Sequence, residues 1–290
     1  MAACMQLEMP DIELMSERPG EVSEFLRSVA AASESMLLLD FDGTLAPFRV
    51  DPSTVRPWAG VRELLEGIQS TERTRIAIVT GRPAIEVSRL IELPIPLEIW
   101  GLHGAERLFP DGQIDEDELL PQQREALAEA RDNIHATRLM LDLRVEEKRN
   151  SVAFHWRGKS AHSICSAQKR TTDLLSPFSQ VAGMQLMHFD GGIELRAGRN
   201  KGDAVRLMMK ELGSDAPVAY LGDDTTDEDA FRAVSGLDGE TRGLGVLVRR
   251  EWRPTAARVW LRPPHELRSF FAAWRQMLQP ETNQFAIQGV

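Results

Sequence analysis

An apolar run that ends in two closely spaced acids constrains the fold of this chain more than any other feature of its sequence. Residues 35–39 read SMLLL, and the segment DFDGT follows, with Asp40 and Asp42. A continuous apolar run is typical of a strand that is buried on both faces, as in a parallel sheet. Because strand side chains alternate, acids two residues apart point the same way. Asp-x-Asp-Gly also begins calcium-binding loops, but the residues that follow fit the later ligand positions of such a loop poorly.

Strand and helix patterns alternate on both sides of the centre of the chain. Apolar strands are predicted at 75–79 and 97–100, and an amphipathic helix at 61–68. A helix at 201–212 and a strand at 218–221 follow later in the chain. Strand–helix–strand order predicts right-handed parallel crossovers, so these segments indicate an α/β fold around a Rossmann-like parallel sheet.

A different pattern separates the two parts of this sheet. Residues 112–196 alternate helices with hairpins, and Asp190-Gly191-Gly192 is typical of a tight hairpin turn. This order of elements predicts an α+β unit with an antiparallel sheet. We therefore predict a core formed by residues 1–111 and 197–290, and an inserted α+β cap domain at 112–196.

Three further motifs follow predicted strands or begin a helix, and they are Thr80-Gly81-Arg82, Asn200-Lys201-Gly202 and Gly222-Asp223-Asp224. Each is common by itself, as a helix cap, a solvated lysine or a turn. Ligands of parallel sheets bind at the carboxyl ends of the strands, where the acids of DFDGT and GDD would meet. Carboxylate oxygens suit Mg²⁺, so the sequence predicts a magnesium site at this edge.

The four motifs, in their order along the chain, resemble those of the haloacid dehalogenase-like phosphohydrolase superfamily. The resemblance implies a hydrolase in which Asp40 attacks phosphorus and forms an aspartyl-phosphate. Asp42 would protonate the leaving alcohol and then activate water. Thr80 and Lys201 would hold the transferring phosphoryl group.

The same resemblance implies which residues hold Mg²⁺. Asp40 and Asp223 would bind it through their carboxylates and Asp42 through its backbone carbonyl, with Asp224 close by. The chemistry needs such a cation, because an anionic nucleophile is otherwise repelled by an anionic phosphate.

The cap and the segments that flank it are similar to the trehalose-6-phosphate phosphatase family. The similarity rests on GLHGAE, VEEK, SVAFHWR, GIELR and GDDTTDE, at residues 101–106, 145–148, 151–157, 192–196 and 222–228. It implies hydrolysis of trehalose 6-phosphate to trehalose and phosphate in trehalose biosynthesis. A trehalose-6-phosphate synthase is then a candidate partner.

The family resemblance also implies which side chains bind the substrate. Glu146, Lys148 and Glu194 would hydrogen-bond hydroxyls of the distal glucose. The full predicted set is Gly81, Arg82, His103, Glu146, Lys148, Arg157 and Glu194. Solvent-facing ion pairs, a buried histidine and an arginine that covers the sheet are the structural alternatives for these residues.

Other functions fit the same motifs. The substrate could be a sucrose-, glucosylglycerol- or mannosylglycerate-type phosphate, or a simple sugar phosphate. A second alternative is a non-catalytic sensor that holds a sugar phosphate. A phosphoryl-accepting signalling domain is a third, although a long cap would obstruct the partner protein that such a domain serves.

Charge and cysteine content limit the partners and the location. The 290 residues carry 34 Lys and Arg against 44 Asp and Glu, and the formal net charge of −10 disfavours nucleic acid and anionic membranes as partners. The two cysteines, Cys4 and Cys165, cannot form a disulfide framework, and Cys165 is expected to be buried in a helix. No apolar run approaches the roughly 18 residues of a spanning helix. We therefore expect a cytoplasmic monomer that acts on a small-molecule sugar phosphate.

Overall fold

The computed structural model describes residues 19–49, 51–141, 143–213, 215–236 and 242–279, which form two sheets flanked by helices. The strands are β1 (Ser35–Leu39), β2 (Thr74–Val79), β3 (Glu98–Gly101), β4 (Glu106–Leu108), β5 (Ile114–Glu116), β6 (Arg144–Lys148), β7 (Ser151–His155), β8 (Met184–Phe189), β9 (Gly192–Ala197), β10 (Val218–Gly222), β11 (Gly243–Val248) and β12 (Val259–Leu261). The helices are α1 (Pro19–Ala31), α2 (Val61–Gln69), α3 (Ala84–Ile91), α4 (Pro121–Leu141), α5 (Ala161–Leu175), α6 (Lys201–Glu211), α7 (Glu228–Ser235) and α8 (His265–Leu278).

The larger sheet has the strand order β12-β11-β10-β1-β2-β3-β4-β5. All neighbours from β12 to β3 pair in parallel, which confirms the predicted Rossmann-like α/β core. Every residue of β1 is buried, as its unbroken apolar run predicts. Strands β4 and β5 were not predicted, and they extend the β3 edge in antiparallel pairing.

Apolar side chains of β1 alternate between two cores, one on each face of this sheet. Leu37 and Leu39 pack with residues of α1, α2, α3 and α8, whereas Met36 and Leu38 pack with residues of α6 and α7. Because helices cover both faces, a ligand has access to the carboxyl ends of the strands.

The smaller sheet is antiparallel, with the order β6-β7-β9-β8. Phe189 of β8 pairs with Gly192 of β9, so the two residues between them form the tight turn that the sequence predicts. One face of the sheet packs against α4 and α5 in a third apolar core. The sheet lies between β5 and α6 in the chain, where the cap is predicted.

The exact limits of the predicted cap, residues 112 and 196, stay predictions. Residues 1–18 and 280–290 of the predicted core lie outside the described residues, as does Cys4. Among the described helices, none has the length and apolar character that crossing a bilayer requires.

Cys165 is exposed, so the prediction that its helix buries it is wrong. The buried positions of α5 are Ala167, Thr171 and Leu175, which follow one another at four-residue spacing along one stripe. Cys165 comes two residues before Ala167, and a helix turns by about half a circle over two residues, so its thiol lies on the opposite side.

Candidate active site

All the residues that the sequence predicts to be functional line one cleft between the two sheets. The cleft has a volume of about 1080 Å³. It lies where β10, β1 and β2, which are neighbours in the larger sheet, reach their carboxyl ends. The predicted residues that line it are Asp40, Asp42, Thr80, Gly81, Arg82, His103, Glu146, Lys148, Arg157, Glu194, Lys201, Asp223 and Asp224. The structure brings them together, and their individual roles stay predictions.

Asp40 and Lys201 form a buried ion pair at the end of β1. Lys201 Nζ lies 2.6 Å from Asp40 Oδ1 and 2.7 Å from Asp227 Oδ1. Lys201 begins α6 directly after Asn200, whose side chain caps the helix. Burial raises the pKa of Asp40 to about 7, and Lys201 opposes that rise. Burial alone would lower the pKa of Lys201, but the Asp227 and Asp40 carboxylates raise it above its usual value, so the ammonium stays charged.

Asp227 organises the acidic loop, residues 223–227. Its Oδ2 accepts hydrogen bonds from the backbone N–H groups of Asp223 and Asp224, at 3.0 and 2.9 Å. Its Oδ1 accepts a hydrogen bond from the Tyr220 hydroxyl at 2.5 Å. Asp227 is not among the predicted site residues. Its position in GDDTTDE, four residues after Asp223, was the available signal, because a carboxylate at this spacing can accept from the N–H groups of its own turn.

Three of these acids are close enough to share a cation. Oxygens of Asp40, Asp223 and Asp227 all lie within 4.8 Å of one another, and all three residues are buried. Burial, and then the nearby Asp40 and Asp227 carboxylates, raise the pKa of Asp223 well above its usual range. Gly43 has a φ of 90°, and a Cβ there would overlap the Asp223 carboxylate. Buried oxygen donors that repel one another fit a divalent cation such as Mg²⁺.

Asp224 was also predicted to ligate the cation, and the structure gives its carboxylate other partners. Oδ1 accepts hydrogen bonds from the N–H of Thr225 at 2.6 Å and from the N–H of Asp190 at 3.2 Å. The first hydrogen bond caps the short helical turn Thr225–Asp227, and the second comes from Asp190 of the cap domain. A ligand role for Asp224 stays a prediction.

Asp42 is held by Arg82 at two points. Arg82 Nε donates to Asp42 Oδ2 at 2.6 Å, and Nη2 donates to Oδ1 at 2.7 Å. The same guanidinium donates to Glu86 Oε1 at 2.5 Å and to the Pro52 carbonyl at 3.0 Å. Two parallel hydrogen bonds fix the plane of the carboxylate. Arg82, predicted to bind the substrate, therefore contacts the predicted acid–base residue in this structure.

Glu194 joins the cap to the core. Its Oε1 accepts from the Ser151 hydroxyl at 2.7 Å and lies 3.5 Å from Lys148 Nζ, while Oε2 lies 3.1 Å from His103 Nε2. Burial would raise the pKa of Glu194, but Lys148 and His103 hold it well below its usual range. Only 3% of the side chain is exposed, so a solvent-facing ion pair is ruled out for this glutamate.

Glu146 and Lys148 face the cleft from the same side of β6, as their two-residue spacing predicts. Glu146 Oε2 lies 2.8 Å from His155 Nε2 and 3.9 Å from Lys148 Nζ. The hydrogen bond with His155 is the largest cause that lowers the pKa of Glu146 to about 2. His155 also lines the cleft but was not in the predicted set.

His103 has an unusual backbone conformation. Leu102, His103 and Gly104 have φ values of 50°, 60° and 102°. The imidazole packs against Gly81, where a Cβ would lie 2.7 Å from the ring. Burial lowers the pKa of His103 to about 4, so the ring is neutral and its Nε2–H donates to Glu194. Strained backbone of this kind concentrates at functional sites.

Arg157 makes a second contact between cap and core. Its guanidinium lies 3.8 Å from the centroid of the Phe48 ring, which follows β1 in the core. Such a contact is a cation–π interaction. Phe48 is not among the predicted residues, because nothing in the local sequence pattern shows which cap residue covers it.

The larger sheet and its helices have the haloacid dehalogenase-like fold, with the acids at the ends of its strands. A haloacid dehalogenase-like hydrolase from B. subtilis superposes with a TM-score of 0.57 at 15% identity, covering 82% of this chain and 99% of the other. The C-terminal domain of C. albicans trehalose-6-phosphate phosphatase superposes with a TM-score of 0.73 at 18% identity, covering 88% and 96%. At these identities the likeness shows the fold alone.

Sequence comparison gives the particular family. The trehalose-phosphatase family model matches residues 38–259, so the chain belongs to the trehalose-phosphatase family. The trehalose-phosphate phosphatase of Mycobacterium ulcerans (strain Agy99) is 31% identical over 249 residues, 81% of this chain and 60% of that protein. The trehalose-phosphate phosphatase of Mycolicibacterium paratuberculosis (strain ATCC BAA-968 / K-10) is 26% identical over 286 residues, 93% and 71%. The chain thus spans between 60% and 71% of the length of these relatives.

Proposed function

We propose that this chain hydrolyses trehalose 6-phosphate to trehalose and phosphate, with Mg²⁺ as cofactor, in the last step of trehalose biosynthesis. Family membership and the names of the relatives support the reaction. The observation that carries the proposal is the buried Asp40–Lys201 pair beside Asp223, in a cleft that polar cap residues also line. One space therefore offers groups for a phosphate and groups for a sugar.

Asp40 is the proposed nucleophile. One of its carboxylate oxygens bonds to phosphorus while the bond between phosphorus and the sugar oxygen breaks, which gives an aspartyl-phosphate. Asp42 donates a proton to the leaving sugar oxygen. The Lys201 ammonium and the Thr80 hydroxyl bind phosphoryl oxygens, whose charge they stabilise in the transition state.

Water then cleaves the aspartyl-phosphate. Asp42 accepts a proton from the water while the water oxygen bonds to phosphorus. The bond between phosphorus and the Asp40 oxygen breaks, Asp40 leaves as a carboxylate, and phosphate is released. Arg82 has to loosen its two-point hold on Asp42 for these proton transfers. Glu86, already 2.5 Å from the same guanidinium, keeps it in place meanwhile.

The acids of the cleft would hold one Mg²⁺. The carboxylates of Asp40 and Asp223 and the carbonyl of Asp42 are its proposed ligands, with Asp224 as a further one. When bound, Mg²⁺ supplies the positive charge that lets an anionic carboxylate approach an anionic phosphate.

The cap would recognise the sugar. Glu146, Lys148 and Glu194 are charged, face the cleft and are linked to one another, so they offer both acceptors and donors to hydroxyl groups. Replacing Glu194 by alanine should raise KM for trehalose 6-phosphate far more than KM for a small aryl phosphate. Equal effects on both substrates would instead show a structural glutamate. We also propose substrate contacts for four further residues, because they line the same cleft: Gly81, Arg82, His103 and Arg157.

A substrate screen tests the proposal directly. Phosphate release is measured with and without Mg²⁺ on trehalose 6-phosphate and on sucrose-, glucosylglycerol- and mannosylglycerate-type phosphates. We expect trehalose 6-phosphate to be preferred, Mg²⁺ to be required, and Asp40→Asn to abolish turnover. Asp115→Asn, on the exposed β5, is the matched control and should keep full activity. Near-normal activity of Asp40→Asn would refute the assignment of Asp40 as the nucleophile. If the wild-type protein binds sugar phosphates without hydrolysing them, it is a sensor and not an enzyme.

A synthase partner, a monomeric state and a cytoplasmic location stay predictions from the sequence.

A further inference from the structure

The cap touches the acidic loop directly, through the cap hairpin formed by β8, β9 and their turn. The backbone N–H of Asp190, in the turn, donates to Asp224 Oδ1 at 3.2 Å. The Thr225 hydroxyl donates to the carbonyl of His188 at 2.8 Å. The hairpin tip is therefore fixed to the same loop that carries two of the proposed Mg²⁺ ligands.

Arg249 extends this contact to the backbone of the acidic loop. Its Nη2 lies 3.0 Å from Asp190 Oδ2, and its Nη1 donates to the Asp223 carbonyl at 3.2 Å. One guanidinium thus spans the cap hairpin and the residue beside Asp40. The position of the Asp223 backbone sets where its carboxylate lies, so a change in Arg249 changes the cation site without removing a ligand.

Arg253 makes a similar contact from the core alone. Its Nη2 donates to the Asp224 carbonyl at 2.7 Å and its Nε to the Asp223 carbonyl at 3.4 Å, while Nη1 is tied to Glu228 Oε1 at 2.5 Å. Arg253 has no contact with the cap hairpin among those of the described residues. Of the two arginines, Arg249 is the one whose contacts, within the described part of the chain, include the cap hairpin.

We propose that Arg249 is a positioning residue for the acidic loop, and that Asp190 of the cap hairpin completes its placement when the cap docks on the core. Formation of the cation site and closure of the cap are then one coupled event. The use of that site for phosphate hydrolysis rests on the proposed function. The coupling itself is a property of binding and can be measured without turnover.

Asp190→Asn is the first test, because asparagine keeps the backbone N–H and suits the same two-residue turn. It removes the carboxylate charge that pairs with Arg249. We expect Mg²⁺ binding, measured by calorimetry without substrate, to weaken about two- to fivefold, the range for a partly exposed ion pair. Phosphate release at subsaturating Mg²⁺ should fall by the same factor for trehalose 6-phosphate and for 4-nitrophenyl phosphate. A sugar contact would affect the disaccharide alone.

The matched control is Glu92→Gln, which breaks an exposed ion pair with Arg62 away from the cleft and should leave Mg²⁺ binding unchanged. Unchanged Mg²⁺ binding in Asp190→Asn would overturn the proposal. Wild-type protein that binds Mg²⁺ but releases no phosphate would overturn the proposed function and leave the coupling standing.

The double variant Asp190→Asn/Arg249→Gln separates coupling from two independent effects. If the pair acts as one unit, the double variant binds Mg²⁺ no more weakly than Arg249→Gln alone. Amide exchange of the cap hairpin should also be faster in both single variants, since the docked Asp190 N–H is released. Multiplicative losses of affinity, or unchanged exchange, would refute the role of the pair.

Discussion

Replacing His103 by asparagine should remove an acid-sensitive part of the free energy of unfolding. In the folded protein, burial lowers the pKa of His103 to about 4, whereas histidine in an unfolded chain has a pKa of about 6.5. As the pH falls below about 6.5, histidine in the unfolded state binds a proton. The folded protein does not protonate His103 until the pH approaches about 4. The stability present above the unfolded pKa is therefore lost on acidification. For these two pKa values the loss between pH 7 and pH 5 is about 2 kcal/mol.

Asparagine suits this position because it tolerates left-handed backbone, and its shorter side chain gives up the hydrogen bond that His103 Nε2 makes with Glu194. It does not titrate, so the loss of ring packing against Gly81 lowers stability equally at each pH. Urea unfolding of both proteins at pH 7, 6 and 5 gives the free energies. The stability advantage of the wild type should shrink by about 2 kcal/mol from pH 7 to pH 5. His162→Asn, on an exposed face of α5, is the control and should leave the slope unchanged. Parallel curves for wild type and His103→Asn would refute the reasoning.

Three further changes have definite expected results. Gly43→Ala places a Cβ into the Asp223 carboxylate and holds a non-glycine residue at positive φ. The backbone strain, about 1–2 kcal/mol, lowers the free energy of unfolding. Because the Asp223 carboxylate has to move, phosphate release and Mg²⁺ affinity should fall by about tenfold, the change that about 1.4 kcal/mol produces. Normal Mg²⁺ binding by calorimetry would contradict this, and Gly20→Ala, with open space around it, is the control. Trp274→Ala removes a fully buried ring and should lower the free energy of unfolding in urea by about 3–5 kcal/mol. Trp252→Ala, 58% exposed, should change it by less than about 0.5 kcal/mol, and similar losses for both would be inconsistent with the packing. Phe48→Leu removes the ring beneath Arg157 and should raise KM for trehalose 6-phosphate about two- to fivefold, as expected for a partly exposed cation–π contact. An unchanged KM would count against that contact.

The sequence was sufficient for the parallel core and for the edge at which the acids meet. Local pattern alone is enough to predict the buried strand β1 and to place Asp40 directly after it. Parallel strands then bring their carboxyl ends together at one edge of the sheet. Two-residue spacing was enough to put Glu146 and Lys148 on one side of a strand. The order of the motifs along the chain carries the family resemblance, and the resemblance adds the expected roles of their residues, which local pattern does not supply.

Contacts between distant segments could not be predicted in this way. Arg249 lies between Asp190 and the Asp223 carbonyl, and each of the three belongs to a different part of the chain. The burial of Cys165 was wrongly predicted for a local reason. Several positions of its helix are small or polar, so the sequence pattern does not show which side of the helix faces the sheet. Strands β4 and β5 have only three residues each, too few for a pattern to show.

The placement of the cap within the chain has a consequence for how the protein folds. β1 pairs directly with β10, and Met36 lies opposite Val218, about 180 residues later in the chain. The centre of the sheet therefore cannot form until β10 has been synthesised. The four strands of the cap pair mostly with near neighbours in sequence, and all four are synthesised before β10. During translation the nascent core therefore exposes an apolar strand edge while the cap is already able to assemble, and this interval is when we expect the chain to be most prone to aggregation.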